Sequence, residues 1–164
     1  MRRWFQAALV LSVLAFAPAA RAGFIVEASL GKGVQTNPSP VKATPTNIMI
    51  APGVTFLSLL RLELGLVTDL GDAKTLGTDE KKFNLQLRPM LVVAPPIFPL
   101  YGRAIFAVTN LLHGKTTIAY GAAAGFKLGV GPVGVFAEAG LLPRSIMSQI
   151  SWVIEGRLGV NLEF

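Results

Sequence analysis

The sequence predicts an all-β protein, an eight-stranded antiparallel up-and-down barrel that spans a membrane. Apolar residues recur at every second position in eight separate segments, which is the period of a β-strand and not of a helix. The connections between those segments alternate between short turns and longer, mostly polar loops. The mean hydropathy is high, +0.56, yet no apolar run after residue 22 reaches the length of a membrane helix, roughly 20 residues. Such a chain can satisfy its backbone in lipid by closing a sheet.

The first 22 residues have the features of a secretory signal peptide. Two arginines precede an apolar run over residues 4–16, and Ala20-Arg21-Ala22 is a small-residue cleavage site. The run is shorter than the roughly 20 residues that a membrane span needs. Cleavage between Ala22 and Gly23 leaves one domain, the predicted barrel of residues 23–164.

Export also changes what the charge implies. The signal peptide carries three of the 15 basic residues and none of the nine acidic ones, so the net charge falls from +6 to +3. A nucleic-acid partner is therefore not expected, despite the basic whole chain. The chain has no cysteine, which excludes a disulfide framework and thiol chemistry.

The first four predicted strands cover residues 23–32, 47–56, 60–67 and 83–93. Leucine at every second position makes the third the clearest of them. The second is weaker, because Pro52 lies in its middle and cannot donate a ladder hydrogen bond. Residues 33–46 contain three prolines and residues 69–82 contain seven charged side chains, so both segments are predicted to be loops. A tight turn near Leu57 and Ser58 joins the second strand to the third.

The last four predicted strands cover residues 100–109, 118–130, 133–141 and 150–164. Pro95 and Pro96 precede these four strands, and Gly131-Pro132 forms the turn between the second and the third of them. Residues 110–116 and 142–149 are predicted to be loops. An even number of strands with short turns on one side places both ends of the barrel chain on the side of the short turns, the periplasm.

The final strand ends the chain with a bare aromatic residue. The apolar positions that define this ending are Trp152, Leu158, Val160, Leu162 and Phe164. This ending resembles the assembly signal of bacterial outer-membrane β-barrels, and the whole chain after residue 22 is similar in pattern to the small OmpA/OmpX-type barrels.

The resemblance implies a monomer in the bacterial outer membrane, surrounded by membrane lipid and lipopolysaccharide and inserted by the barrel-assembly machinery. It also implies loops that bind a surface ligand. The expected role is structural, in envelope integrity or in surface interaction.

The register opposite the lipid face collects charge. The predicted lumen charges are Glu27, Arg61, Glu63, Arg88, Arg103, Lys127, Glu138, Glu155 and Arg157. Charges that lie away from water must pair, and an eight-stranded barrel is just wide enough for side chains to fill it. We therefore predict a lumen largely plugged by ion pairs. Because the first and last strands must pair, we expect Glu27 to lie near Arg157 or an adjacent base.

A narrow pore or a carrier for small or hydrophobic solutes, like the OmpW-like barrels, is the alternative. Small inward residues along the sixth and seventh strands leave room for it: Gly121, Ala123, Gly125, Gly129, Gly134 and Gly140. Apolar residues in the inward register could contact a hydrophobic solute: Ile25, Met49, Val67, Met90, Val92, Ile105, Phe136 and Val153.

Two glycine motifs have a simpler explanation than their usual one. Residues 129–134 match the dinucleotide-binding pattern G-x-G-x-x-G, but no helix follows to meet a pyrophosphate. Gly121, Gly125 and Gly129 match a helix-dimer motif, but Lys127 and the period of two indicate a strand. No cofactor is expected.

His113 is the single histidine, in a predicted loop. One histidine without cysteine makes a poor metal site, and no serine follows it at the spacing found in the barrel enzymes that deacylate lipid A. No metal and no catalysis are therefore expected, and a lipid-modifying enzyme is the second alternative.

Overall fold

The computed structural model describes residues 23–35, 42–70, 85–109, 111–112, 117–146 and 149–164. The predicted signal peptide, His113 and parts of the predicted loops lie outside these residues. The strands are β1 (Gly23–Gln35), β2 (Lys42–Ala43), β3 (Thr46–Phe56), β4 (Leu60–Leu70), β5 (Leu85–Val93), β6 (Leu100–Thr109), β7 (Thr117–Val130), β8 (Val133–Ile146) and β9 (Gln149–Glu163).

Eight of these strands close into an antiparallel barrel, as the sequence predicts. Each long strand pairs with its neighbours in chain order, and β9 returns to pair with β1. The two-residue strand β2 is an addition that pairs with the end of β1.

The register is staggered around the barrel. The row of partners that starts at Ala28 reaches Ile118 of β7 through β3, β4, β5 and β6. In the other direction, through β9 and β8, it reaches Leu128 of the same strand. The two arrival points differ by ten residues, the shear of this barrel, and shear fixes how far the strands tilt.

Three strands continue beyond their predicted ends. β4 continues to Leu70, where the sequence indicates a loop from residue 69. β1 continues to Gln35, where the sequence indicates a loop from residue 33, and Thr44 holds this extension by accepting a hydrogen bond from the Gly33 amide at 3.0 Å. β8 continues to Ile146 instead of ending at Leu141. Beyond Leu141 the register continues with β9 alone, so Pro143 lies where a strand has a free side, as proline requires.

Two prolines are built into the barrel wall. β1 pairs with β3 through Pro52 without a break, but the β3–β4 ladder skips from Ile50 to Gly53. Pro89 similarly interrupts only the ladder between β5 and β6. Each proline thus removes hydrogen bonds from one side of its strand, which explains why the second strand forms despite Pro52.

The two faces of the wall differ as the alternation predicts. Leu158 is 68% exposed on the outer face, whereas its neighbour Arg157 is 2% exposed on the inner face. The core of the molecule therefore lies inside the barrel. Among the described residues, no helix is long and apolar enough to cross a membrane.

The short turns have the backbone conformations that tight hairpins need. Leu57 and Ser58 adopt φ of 53° and 50° between β3 and β4, and Gly131 adopts 61° between β7 and β8. Positive φ matches the twist of the flanking strands in a hairpin. Leu57 and Ser58 take this conformation without being glycine, whose missing Cβ makes it easy.

Candidate functional site

The predicted charged residues do lie in the lumen. Eight of the nine are at most 7% exposed, and the ninth, Lys127, is half-buried. They reach the bore from seven of the eight barrel strands, because each occupies the inward register of its own strand. Their side chains form one connected set of ion pairs.

Arg103 of β6 is the centre of this set. Its guanidinium lies 2.6 Å from Glu27, 3.2 Å from Glu63 and 3.3 Å from Glu138, which come from three other strands. The guanidinium carbon is also 5.5 Å from the centroid of the Tyr101 ring, within cation–π range. One cation therefore holds three carboxylates across the bore.

Arg157 of β9 forms a second centre. It pairs with Glu155 on its own strand, and its Nε lies 3.6 Å from Oε1 of Glu138. Its remaining donors bond to neutral groups, Oδ1 of Asn47 at 2.7 Å and Oγ of Ser29 at 3.1 Å. Glu138 thus joins the two centres, with the Tyr101 hydroxyl donating to its Oε2 at 2.9 Å.

Arg88 extends the set along β5. It is 1% exposed and donates to Oε1 of Glu155 at 3.5 Å and to Oε1 of Gln86 at 3.2 Å. Asn47 donates to the other oxygen of Glu155 at 3.2 Å. Glu155 consequently contacts two cations, Arg88 and Arg157, and the Asn47 amide, which together compensate for its burial.

The end of the bore at the short turns is less enclosed. Arg61 lies 3.7 Å from Glu27 and 3.5 Å from Glu163, and Lys127 pairs with the same oxygen of Glu163. A cavity of about 540 Å³ opens beside these residues, below the proline-rich turn of residues 94–99. Glu163 and Lys127 at this mouth remain partly accessible, unlike the groups around Arg103.

Glu63 is held by charge alone. Neither of its carboxylate oxygens has a hydrogen-bond partner. Its compensation comes from Arg103 at 3.2 Å and Arg61 at 4.0 Å. A buried carboxylate without hydrogen bonds depends strongly on such cations.

Glu27 pairs with Arg103 and Arg61 and not with Arg157. The first and last strands do pair, but the register sets Glu27 opposite Asn161 and sets Arg157 opposite Gly31. The Glu27 carboxylate therefore extends across the bore to β6.

Five polar residues belong to this set although the prediction omits them: Ser29, Asn47, Gln86, Tyr101 and Glu163. All five lie in the inward register. The same parity that selects the charged residues therefore identifies them, provided that neutral polar side chains are counted as well.

The inward apolar residues are packed. All eight are at most 5% exposed. Met49, Val67, Met90 and Ile105 share one cluster, and Val92 and Phe136 contact Tyr101 in another. These contacts are those of a folded core.

The inward glycines leave less room than the sequence indicates. A Cβ on Gly125 would lie 2.6 Å from Cε1 of Tyr101, and one on Gly140 would lie 2.6 Å from the Cβ of Ala123. Each glycine accommodates a neighbouring group where a side chain would collide with it. The space predicted along these strands is thus already occupied at both positions.

The predicted assembly signal lies on the outer face. The ring of Phe164 is 6.4 Å from that of Phe24, and the two residues exchange backbone hydrogen bonds of 2.8 and 3.1 Å. Trp152 packs edge to face on Tyr120 towards the opposite rim, at 6.1 Å. Within the described part of the chain, no group of three His, Cys, Asp or Glu residues is arranged to hold a metal.

Solved structures that are similar to this chain include two barrels. The N-terminal β-barrel domain of Pseudomonas aeruginosa OprF is 18% identical with a TM-score of 0.51, covering 88% of this chain and 99% of that one. Neisserial surface protein A (NspA) is 13% identical with a TM-score of 0.52, covering 89% and 98%. The chain has the fold of the outer-membrane β-barrels. No family model matches the sequence, and neither does any curated protein.

Proposed function

We propose that this protein is a monomeric outer-membrane barrel with a structural, envelope-integrity or surface-interaction role, and that ion pairs plug its lumen. The long loops then face the cell exterior, where they bind a surface ligand, and both barrel ends of the chain lie in the periplasm. The proposal includes no catalytic step. Insertion by the barrel-assembly machinery uses the terminal strand that ends at Phe164.

The arrangement around Arg103 carries the proposal. Three carboxylates from β1, β4 and β8 converge on one guanidinium that is 2% exposed. Moving any one of them to open a path would separate oppositely charged groups that are paired in a buried site, which is strongly unfavourable. Such a network favours a rigid plug rather than a water-filled channel.

The outer face supports the membrane location. Leucine, isoleucine, valine and phenylalanine side chains stand exposed on every barrel strand, and in water this surface would far exceed the apolar patches that soluble monomers tolerate. Lipid and lipopolysaccharide are the surroundings in which such a surface is stable. The NspA and OprF likeness supports the same location.

A carrier for hydrophobic solutes is the second candidate. The observation in its favour is the methionine-containing cluster of Met49, Met90 and Ile105 inside the bore, because methionine adapts readily to other partners. The close packing of these three residues, each at most 4% exposed, favours the plug.

Planar-bilayer conductance of the refolded barrel tests the proposal. The wild type is expected to pass little current, and a variant with Arg103→Met and Glu63→Gln is expected to pass more. Steady wild-type current of the size that porins give would reject the plug. Fractionation with outer membranes, and a gel mobility that shifts on boiling in detergent, test the location separately.

A further inference from the structure

The outer wall carries a groove that crosses several strands. Its floor is a row of register partners without side chains beyond Cβ, namely Gly156 of β9, Ala139 of β8 and Ala124 of β7. Leu158 and Phe126 flank the floor, and the groove has a volume of about 840 Å³. An exposed glycine and two exposed alanines in line thus interrupt a wall of large apolar side chains.

One end of this groove is charged. Lys32 of β1 is the register partner of Gly156 and lines the same groove. Among the outward-facing side chains that the structure describes, Lys32 is the one charged residue. A cation on the lipid face is least unfavourable near the headgroups, where its flexible stem can bring the ammonium to a lipid phosphate.

The groove has a direction. Lys32 lies three residues from the loop end of β1 at Gln35, whereas Leu100 at the other end is the first residue of β6, beside the short turns. The groove therefore runs obliquely from the loop rim, at its charged end, towards the middle and lower part of the wall. A lipid of the leaflet at the loops has the same polarity, with its phosphate at the surface and its acyl chains pointing inwards.

We propose that this groove binds one lipid A molecule of the outer leaflet, with a phosphate on Lys32 and an acyl chain along Gly156, Ala139 and Ala124. The inference rests on the proposed outer-membrane location and orientation. Charge complementarity selects a phosphate-bearing lipid, and the direction of the groove selects the leaflet at the loops. The missing side chains give the acyl chain closer contact with the wall than elsewhere on the outer face.

Native mass spectrometry of the refolded protein in non-ionic detergent, titrated with lipid A, tests this site. Lys32→Gln removes the charge, and retention of lipid A is expected to fall about fivefold, the size of one lysine's attraction to an anionic lipid near the surface. Gly156→Leu fills the floor and is also expected to weaken retention. The leucine fits without strain, because a Cβ there meets nothing closer than the Lys32 carbonyl at 3.9 Å.

Ala28→Leu is the matched control, since it also places a leucine on the outer face but outside the groove. It is expected to retain lipid A like the wild type, and lipid A without phosphates is expected to bind the wild type as weakly as lipid A binds Lys32→Gln. Equal retention by all variants would overturn the proposal, as would equal binding of the dephosphorylated lipid. A wild-type dimer that Gly156→Leu dissociates would assign the groove to a second copy of the chain and reject the lipid. The gel shift on boiling, recorded for every variant, separates failure of this site from failure of the barrel.

Discussion

Replacing Arg103 by methionine is the sharpest test of the lumen network. The change removes the cation that lies 2.6, 3.2 and 3.3 Å from three buried carboxylates. Removing one member of a buried ion pair typically destabilises a protein by about 3–5 kcal/mol. The effects do not add threefold here, because Arg61 remains 3.7 Å from Glu27 and the Tyr101 hydroxyl still donates to Glu138. We expect the free energy of unfolding to fall by about 3–5 kcal/mol.

Equilibrium urea unfolding in phospholipid vesicles, followed by the fluorescence of Trp152, measures this loss. Leu158→Ile on the lipid face is the control and should change the free energy of unfolding by less than about 1.5 kcal/mol. Glu63→Gln added to Arg103→Met should recover about 0.5–3 kcal/mol, the usual coupling between contacting residues, because it neutralises the carboxylate that lacks hydrogen bonds. An Arg103→Met loss no larger than that of the control would refute the reasoning.

Three further predictions concern assembly, topology and packing. Deletion of Phe164 should lower the yield of barrel in the outer membrane, whereas Glu163→Gln should not, and equal yields in a membrane fractionation would argue against the terminal signal. A peptide tag inserted at Lys74 should bind antibody on intact cells and one at Pro96 only after the outer membrane is opened; the reverse result would invert the orientation. Gly125→Val should abolish the gel shift on boiling, because the new Cβ would collide with the Tyr101 ring. The control is Ala124→Val, which changes the neighbouring residue on the outer face and should preserve the shift.

The barrel itself is predictable because its outer face is apolar and its lumen is lined by charged and polar groups, so alternate residues differ in character. That contrast weakens where a strand leaves the hydrophobic band. The alternation of apolar and polar residues therefore does not predict the extension of β1 to Gln35, and the polar segment after it indicates a loop. In β8, Pro143 predicts the end of the strand, but the strand continues past it. The proline is tolerated because β8 no longer pairs with β7 at that position.

The membership of the lumen network is predictable from parity, but its pairing is not. Parity assigns each residue to a face from its own strand alone, so Glu27 and Arg103 are both identified as inward. Their 2.6 Å contact depends on the stagger accumulated from strand to strand. A shear of ten is a property of the closed sheet, and no local pattern in the sequence encodes it.

The inner face of the barrel determines the register in which the strands pair. A slip of one residue would turn the apolar outer face inwards, but a slip of two would keep every outward leucine and valine on the outer face. The outer face therefore cannot distinguish the native register from one shifted by two. The inner face can, because Gly125 must lie under the Tyr101 ring and Gly159 must lie beside Phe136, where a Cβ would approach the ring to 2.5 Å. Large inward side chains thus require glycine opposite them in one register, and the ion pairs of Arg103 add an electrostatic demand for the same alignment.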